Sequence, residues 1–157
     1  MHPLARWWIR NSMRAVLGVS ALLARRSERL SLAWMRKLAR TTVRAKRIQP
    51  ATDLPALAAA WQRGFPSAKQ VPIQSIDAGT VIAEIQTPCP LRGSGDTRAC
   101  WRMMEYDRQV ARAAGGAFVV LRSQAEPGVT SCRVALRASG ADLSDLIPAH
   151  MRAPNPT

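Results

Sequence analysis

The sequence predicts an α+β fold in which an antiparallel sheet of two hairpins carries a central helix on one face, preceded by a long amphipathic basic helical segment. The sheet is predicted from two pairs of strand-like runs, since the two runs of each pair are joined by a glycine-containing turn. A further observation predicts the basic segment: residues 4–46 contain no proline and repeat apolar positions at helical spacing.

Thr52 or Asp53 caps a short helix with Pro55 in its first turn. The first hairpin then pairs residues 71–76 with residues 80–86 across a turn at Gly79. Pro72 places the first strand at an edge of the sheet, because proline cannot donate to the ladder. Alternation along the second strand directs three residues to one face, namely Val81, Ala83 and Ile85.

Asp96 is the predicted N-cap of a central helix over residues 97–114, which Gly115 and Gly116 end. The second hairpin pairs residues 117–124 with residues 130–137. Seven residues at helical spacing are expected to face the sheet: Cys100, Met103, Met104, Asp107, Val110, Ala111 and Ala114.

Asp107 is the one carboxylate on this face. A buried carboxylate is costly unless it is paired, which favours a position at the rim beside Arg108 or Arg112. The alternative is that Asp107 lies in a cleft.

Positive charge is concentrated at the N-terminus, where residues 1–49 contain twelve Lys or Arg and one acid, Glu28. The predicted organisation is a basic amphipathic helical segment (1–49), an α+β domain (50–140) and a C-terminal tail (141–157). The apolar run at residues 15–24 is too short to span a bilayer, and we expect a cytoplasmic protein.

Three interpretations of the basic segment remain open. It packs its apolar side on the domain, it binds through residues 4–47 to an anionic membrane surface on the inner face of the membrane or to an acidic protein partner, or it binds the phosphates of nucleic acid. Trp7 and Trp8 favour the membrane over nucleic acid, which we do not expect as a partner. Apolar positions along the helix are compatible with a homodimer.

The three cysteines lie at the edges of predicted elements, and their odd number argues against a disulfide framework. Cys89-Pro90 follows a strand, Ala99-Cys100-Trp101 opens a helix that ends at Gly115-Gly116, and the run 128–134 contains Cys132. This pattern, over roughly residues 50–140, resembles the 4-vinyl reductase domain and the related aminothiazoline-carboxylate hydrolase-like proteins.

The resemblance implies a pocket between sheet and helices for a small hydrophobic or aromatic molecule. The expected lining is Cys89, Cys100, Trp101, Met104, Asp107 and Cys132. Some relatives hold a structural zinc, and Cys100 and Cys132 match its first and last ligands, whereas Leu121 and Gln124 stand at the other two positions. Buried thiols without a cofactor are therefore favoured, and zinc on Cys100, Cys132 and Cys89 is the alternative.

Catalysis would need an activated thiol. Cys100, in the first turn of a helix, and Cys89, in the preceding loop, are the candidate nucleophiles, with Asp107 as acid or base. The histidines, His2 and His150, lie in the tails.

The favoured function is a ligand-binding module tethered by its basic helix. The alternatives are a small cysteine-dependent hydrolase of the aminothiazoline-carboxylate type and an accessory or assembly protein of a larger complex.

Overall fold

The computed structural model describes the backbone of residues 3–152 and the side chains of residues 11–152. The helices are α1 (Pro3–Arg26), α2 (Glu28–Lys46), α3 (Leu54–Gln62), α4 (Thr97–Met103) and α5 (Glu105–Ala113). The strands are β1 (Ile73–Asp77), β2 (Thr80–Ile85), β3 (Gly116–Arg122) and β4 (Cys132–Ala138), and single 3-10 turns cover Ala68–Gln70 and Ala149–Met151.

The four strands form one antiparallel sheet in the order β1-β2-β4-β3. This confirms the predicted α+β class, since each hairpin keeps its own turn and the two hairpins join through β2 and β4. Strand β1 lies at the edge, directly after Pro72. Ala78 and Gly79 both take positive φ in the first turn, a conformation that matches the twist of a tight hairpin.

Helices α3 and α5 cover one face of the sheet. The buried residues of β2 are Val81, Ala83 and Ile85, as the alternation predicts. Asp53 caps α3 by accepting a hydrogen bond from the backbone N–H of Ala56 (2.8 Å), and α3 then buries Trp61 completely. The Trp61 ring lies 5.9 Å from that of Phe118 on β3, so these aromatic rings join helix to sheet.

The basic segment forms a helical hairpin. The chain leaves the helical conformation at Ser27, whose hydroxyl accepts a hydrogen bond from the N–H of Leu30 and thereby caps α2 (3.3 Å). Within the hairpin, Trp34 Nε1 donates to the Ser20 hydroxyl (3.0 Å), which donates in turn to the carbonyl of Val16 (2.7 Å). The bond from Trp34 joins α2 to α1.

The hairpin packs on α4 and α5 as a third layer. Arg36 of α2 forms an ion pair with Glu105 of α5 (2.6 Å). Arg102 of α4 donates to the carbonyl of Ala24 near the end of α1 (2.7 Å) and pairs with Glu28 (3.3 Å). The apolar side of the basic segment therefore faces the rest of the chain, as one of the three interpretations predicted.

The predicted single central helix is wrong in one respect, because the chain forms two helices that meet at Met104. There the backbone has ψ near 2° and Glu105 begins the second helix. The predicted inward face is otherwise correct: all seven residues are buried except Met103, which is half-buried.

After β4 the chain folds back over the sheet. Arg137 forms an ion pair with Asp145 (2.6 Å), and Ala149 is buried. Over the residues that the structure describes, no helix combines the length and apolar character needed to cross a bilayer.

Candidate functional site: an apolar cavity with a thiol and carboxyl wall

A cavity of about 330 Å³ lies between the helical hairpin, helices α4 and α5, and one end of the sheet. Three of its lining residues, Ser12, Pro66 and Pro88, are exposed, so the cavity reaches the surface. The apolar part of the wall consists of Met13, Val16, Leu17, Met35, Leu38, Phe65, Ile85, Met103 and Met104. Cavities of this size and character are typical of small-molecule sites.

Helical periodicity builds one side of this cavity. Met13, Val16, Leu17 and Ser20 recur at spacings of three and four on α1, so they share one face. Met35, Leu38 and Thr42 do the same on α2. The basic segment therefore supplies a wall of the site, a role that the sequence analysis did not assign to it.

The polar part of the wall comes from three distant parts of the chain. Cys89 lies in the loop after β2, Cys100 in the first turns of α4, and Cys132 at the first residue of β4, opposite Ile85 of β2. Asp107 of α5 joins them. The sheet register and the helix N-terminus thus bring together groups that lie far apart in sequence.

Asp107 is buried, with 6% of its surface exposed, so the predicted rim position is wrong and the cleft alternative is correct. Asp107 can be buried because it has a hydrogen-bond partner that the prediction did not consider: Trp61 Nε1 donates to Asp107 Oδ1 (3.2 Å). Burial raises the pKa of Asp107 to about 7, and the hydrogen bond from Trp61 and the charge of Arg108 oppose that rise only in part.

The three thiols differ in the direction in which their pKa values are shifted. A hydrogen bond from the Cys100 thiol, together with one from the backbone N–H of Gln124 (3.3 Å), holds the pKa of Cys132 below its usual range. Donating that bond, together with burial, raises the pKa of Cys100 well above the usual range. Burial also raises the pKa of Cys89. The sulfur that ionises first is therefore that of Cys132.

Gln124 organises this wall, a role that neither its predicted place at the end of a strand nor its match to a ligand position of the vinyl reductase domain indicated. Its Oε1 accepts from the backbone N–H of Cys89 (3.2 Å) and from Arg92 (2.7 and 3.0 Å). Its Nε2 donates to the carbonyls of Ile85 (3.1 Å) and Thr87 (2.9 Å). One side chain thereby fixes the loop that carries Cys89.

Five of the six predicted lining residues line the cavity: Cys89, Cys100, Met104, Asp107 and Cys132. Trp101 does not. It follows Cys100 by one position, a rotation of about 100° around the helix, and its ring faces His150 (5.4 Å between centroids) and Arg108 (4.7 Å) instead. His150 therefore packs outside the cavity and gives the thiols no imidazole partner.

The candidate nucleophiles, Cys100 and Cys89, are the two thiols whose pKa values are raised, which disfavours a thiolate at either position. Among residues 11–152, no group of three or more His, Cys, Asp or Glu side chains is arranged to hold a metal ion. A zinc ion on Cys89, Cys100 and Cys132 therefore has no ligand geometry to support it.

Comparisons of the chain with models of protein families, with curated proteins and with solved structures found no match in any of the three. The resemblance to the vinyl reductase domain thus stays a prediction that rests on the quoted residues.

Proposed function

We propose that this protein binds a small hydrophobic molecule in the cavity. The observation that carries the proposal is the cavity itself, about 330 Å³ with a mostly apolar lining and a mouth at Ser12, Pro66 and Pro88. Sites of this kind combine an apolar wall with a few convergent polar groups. Here the polar groups are the thiols and Asp107.

The test of this proposal uses a substitution that fills the cavity. Val16→Phe enlarges a half-buried side chain that lines it, whereas Val19→Phe makes the same change at an exposed position of the same helix. We expect the wild type and Val19→Phe to bind a fluorescent apolar dye and to carry a co-purifying molecule in native mass spectra. Val16→Phe should lose both. Equal dye binding by all three proteins would contradict the proposal.

We further propose that the turn of the helical hairpin docks on an anionic membrane surface. Val19, Leu22 and Leu30 are exposed there, at 47%, 53% and 58% of their surface. Arg25, Arg26 and Arg29 are also exposed on the same turn. Apolar side chains flanked by cations are the combination that anionic lipid surfaces bind.

Vesicle sedimentation tests this second point. Replacing Leu22 and Leu30 by Ser should weaken binding to vesicles that contain phosphatidylglycerol, whereas Ile147→Ser, at another exposed apolar residue, should not. Vesicles of phosphatidylcholine alone should bind weakly, because they offer no charge to the arginines. Equal binding to both lipids by all variants would exclude the docking surface.

A further inference from the structure

The ionisable groups of the cavity wall differ in kind from those that dominate the protein as a whole. The chain carries a formal net charge of +13, yet among the described residues no Lys, Arg or His lines the cavity. The ionisable residues that line it are Asp107, Tyr106 and the three cysteines, all of which become anionic when they lose a proton. The wall therefore offers groups that can pair with a cation and none that can pair with an anion.

Asp107 is the group best placed to meet a ligand. Its Oδ1 accepts the hydrogen bond from Trp61, and a backbone hydrogen bond at Asp107 also stabilises the carboxylate. The residue is almost fully buried and lines the cavity. A charge-assisted hydrogen bond from a donor on a ligand would be strong at such a buried carboxyl group.

The nearest cation does not fill this role. Arg108 lowers the pKa of Asp107 through its charge, but its guanidinium donates to Glu105 Oε2 (2.9 Å) and to the carbonyl of Trp101 (2.8 Å). Both of these bonds hold it away from the cavity, which it does not line. The aromatic rings of Phe65 and Tyr106 line the cavity as well, and such rings attract cations.

We propose that the cavity selects a hydrophobic amine, with Asp107 as the counterion of its ammonium group and the apolar wall around its hydrocarbon part. This inference rests on the proposed binding function and adds the chemical class of the ligand. It excludes fatty acids and other hydrophobic anions as preferred ligands, because their carboxylates would meet the buried carboxyl group of Asp107 and no cationic residue among those that line the cavity.

Calorimetric titration of the full chain with three probes of equal chain length, octylamine, octanol and octanoate, tests the selection near neutral pH. The wild type should bind octylamine most tightly, octanol about 10- to 100-fold more weakly, and octanoate weakest, since a charge-assisted hydrogen bond in a buried site contributes on that order. In Asp107→Asn the amine should lose this advantage while octanol binding is retained. Asp77→Asn, which removes a carboxylate from the exposed first hairpin, is the matched control and should behave as the wild type.

The outcomes separate the two proposals. Octanol bound as tightly as octylamine, or an amine preference that survives in Asp107→Asn, would overturn the selection for amines and leave the binding function standing. Failure of all three probes to bind would overturn both. Retained octanol binding by Asp107→Asn also shows that this variant is folded.

Discussion

The indole Nε1 of Trp61 donates a 3.2 Å hydrogen bond to Asp107 Oδ1, and both residues are buried against the sheet. The bond joins α3 to α5 and fixes one oxygen of a carboxyl group that lines the cavity. A neutral indole donor satisfies that oxygen without bringing a charge. The hydrogen bond from Trp61 and the charge of Arg108 offset only part of the effect of burial, so the pKa of Asp107 is raised. The raised pKa affects both stability and binding.

Stability should fall as the pH rises toward neutrality. The pKa of Asp107 is about 7 in the folded protein, whereas an unfolded aspartate has a pKa of about 3.9. The folded state therefore holds this proton more tightly, and the stability this contributes is full below about pH 4 and is lost as the pH rises through 7. Between about pH 5 and 7.5 the loss is on the order of 2–3 kcal/mol.

Urea unfolding of the wild type and Asp107→Asn at the two pH values measures this loss. The variant should become more stable relative to the wild type at the higher pH, by about the same 2–3 kcal/mol, since both proteins share every other titrating group. The pKa values of Glu105, Asp142 and Asp145 are lowered, so these groups titrate at more acidic pH. A stability difference that does not change with pH would contradict the raised pKa.

The ion pair between Arg36 and Glu105 should contribute more to stability than the pair between Arg102 and Glu28. Glu105 is buried and accepts from Arg36, Arg108 and Gln109, and although burial opposes it, these bonds lower its pKa. Glu105→Ala should cost about 2–3 kcal/mol because it leaves charged donors unpaired. Glu28→Ala, at a more exposed carboxylate, should cost less than about 1 kcal/mol. Equal costs in urea unfolding would contradict this ranking.

Gln124→Ala should destabilise the protein by about 2–4 kcal/mol, because it leaves buried backbone groups of the loop after β2 without partners. Hydrogen exchange should rise at residues 86–95 in particular. Gln86→Ala, at an exposed glutamine whose bond to Glu84 is long (3.4 Å), should change neither quantity. Unchanged exchange at residues 86–95 in Gln124→Ala would show that other contacts hold the loop.

Cys132 should be the first cysteine to react with a small uncharged alkylating reagent as the pH is raised. Its pKa is lowered by the Cys100 thiol, whereas the pKa values of Cys100 and Cys89 are raised. Peptide mapping should therefore find the label on Cys132 at the lowest pH, and Cys132→Ser should remove that early phase. First labelling of Cys89, the most exposed of the three, would show that access outweighs ionisation.

Serine variants of the three cysteines also test the hydrolase alternative. Its candidate nucleophile is Cys100 or Cys89, so one of the variants Cys100→Ser and Cys89→Ser should abolish any hydrolytic activity that the purified protein shows. Activity retained in both and lost in Cys132→Ser would transfer the role to the thiol whose pKa is lowered.

Local features of the fold could be predicted from the sequence, because turns, caps and strand alternation depend on neighbouring residues. Asp53 and Asp96 cap their helices as expected, and both hairpins form. The position of Asp107 could not be predicted, since its partner Trp61 lies 46 residues earlier. Gln124 was missed for the same reason, because its partners in the preceding loop are 32 to 39 residues away.

The helical hairpin is synthesised before the helices on which it packs. Arg36 is made 69 residues before Glu105, and the apolar faces of α1 and α2 leave the ribosome before any residue of α4, α5 or the sheet that will cover them. Contacts of such long range form slowly, because a long loop must close first. During translation, therefore, the future wall of the cavity is an exposed, basic, apolar surface, a typical target for chaperones, and the packing of α4 and α5 is the step that covers it.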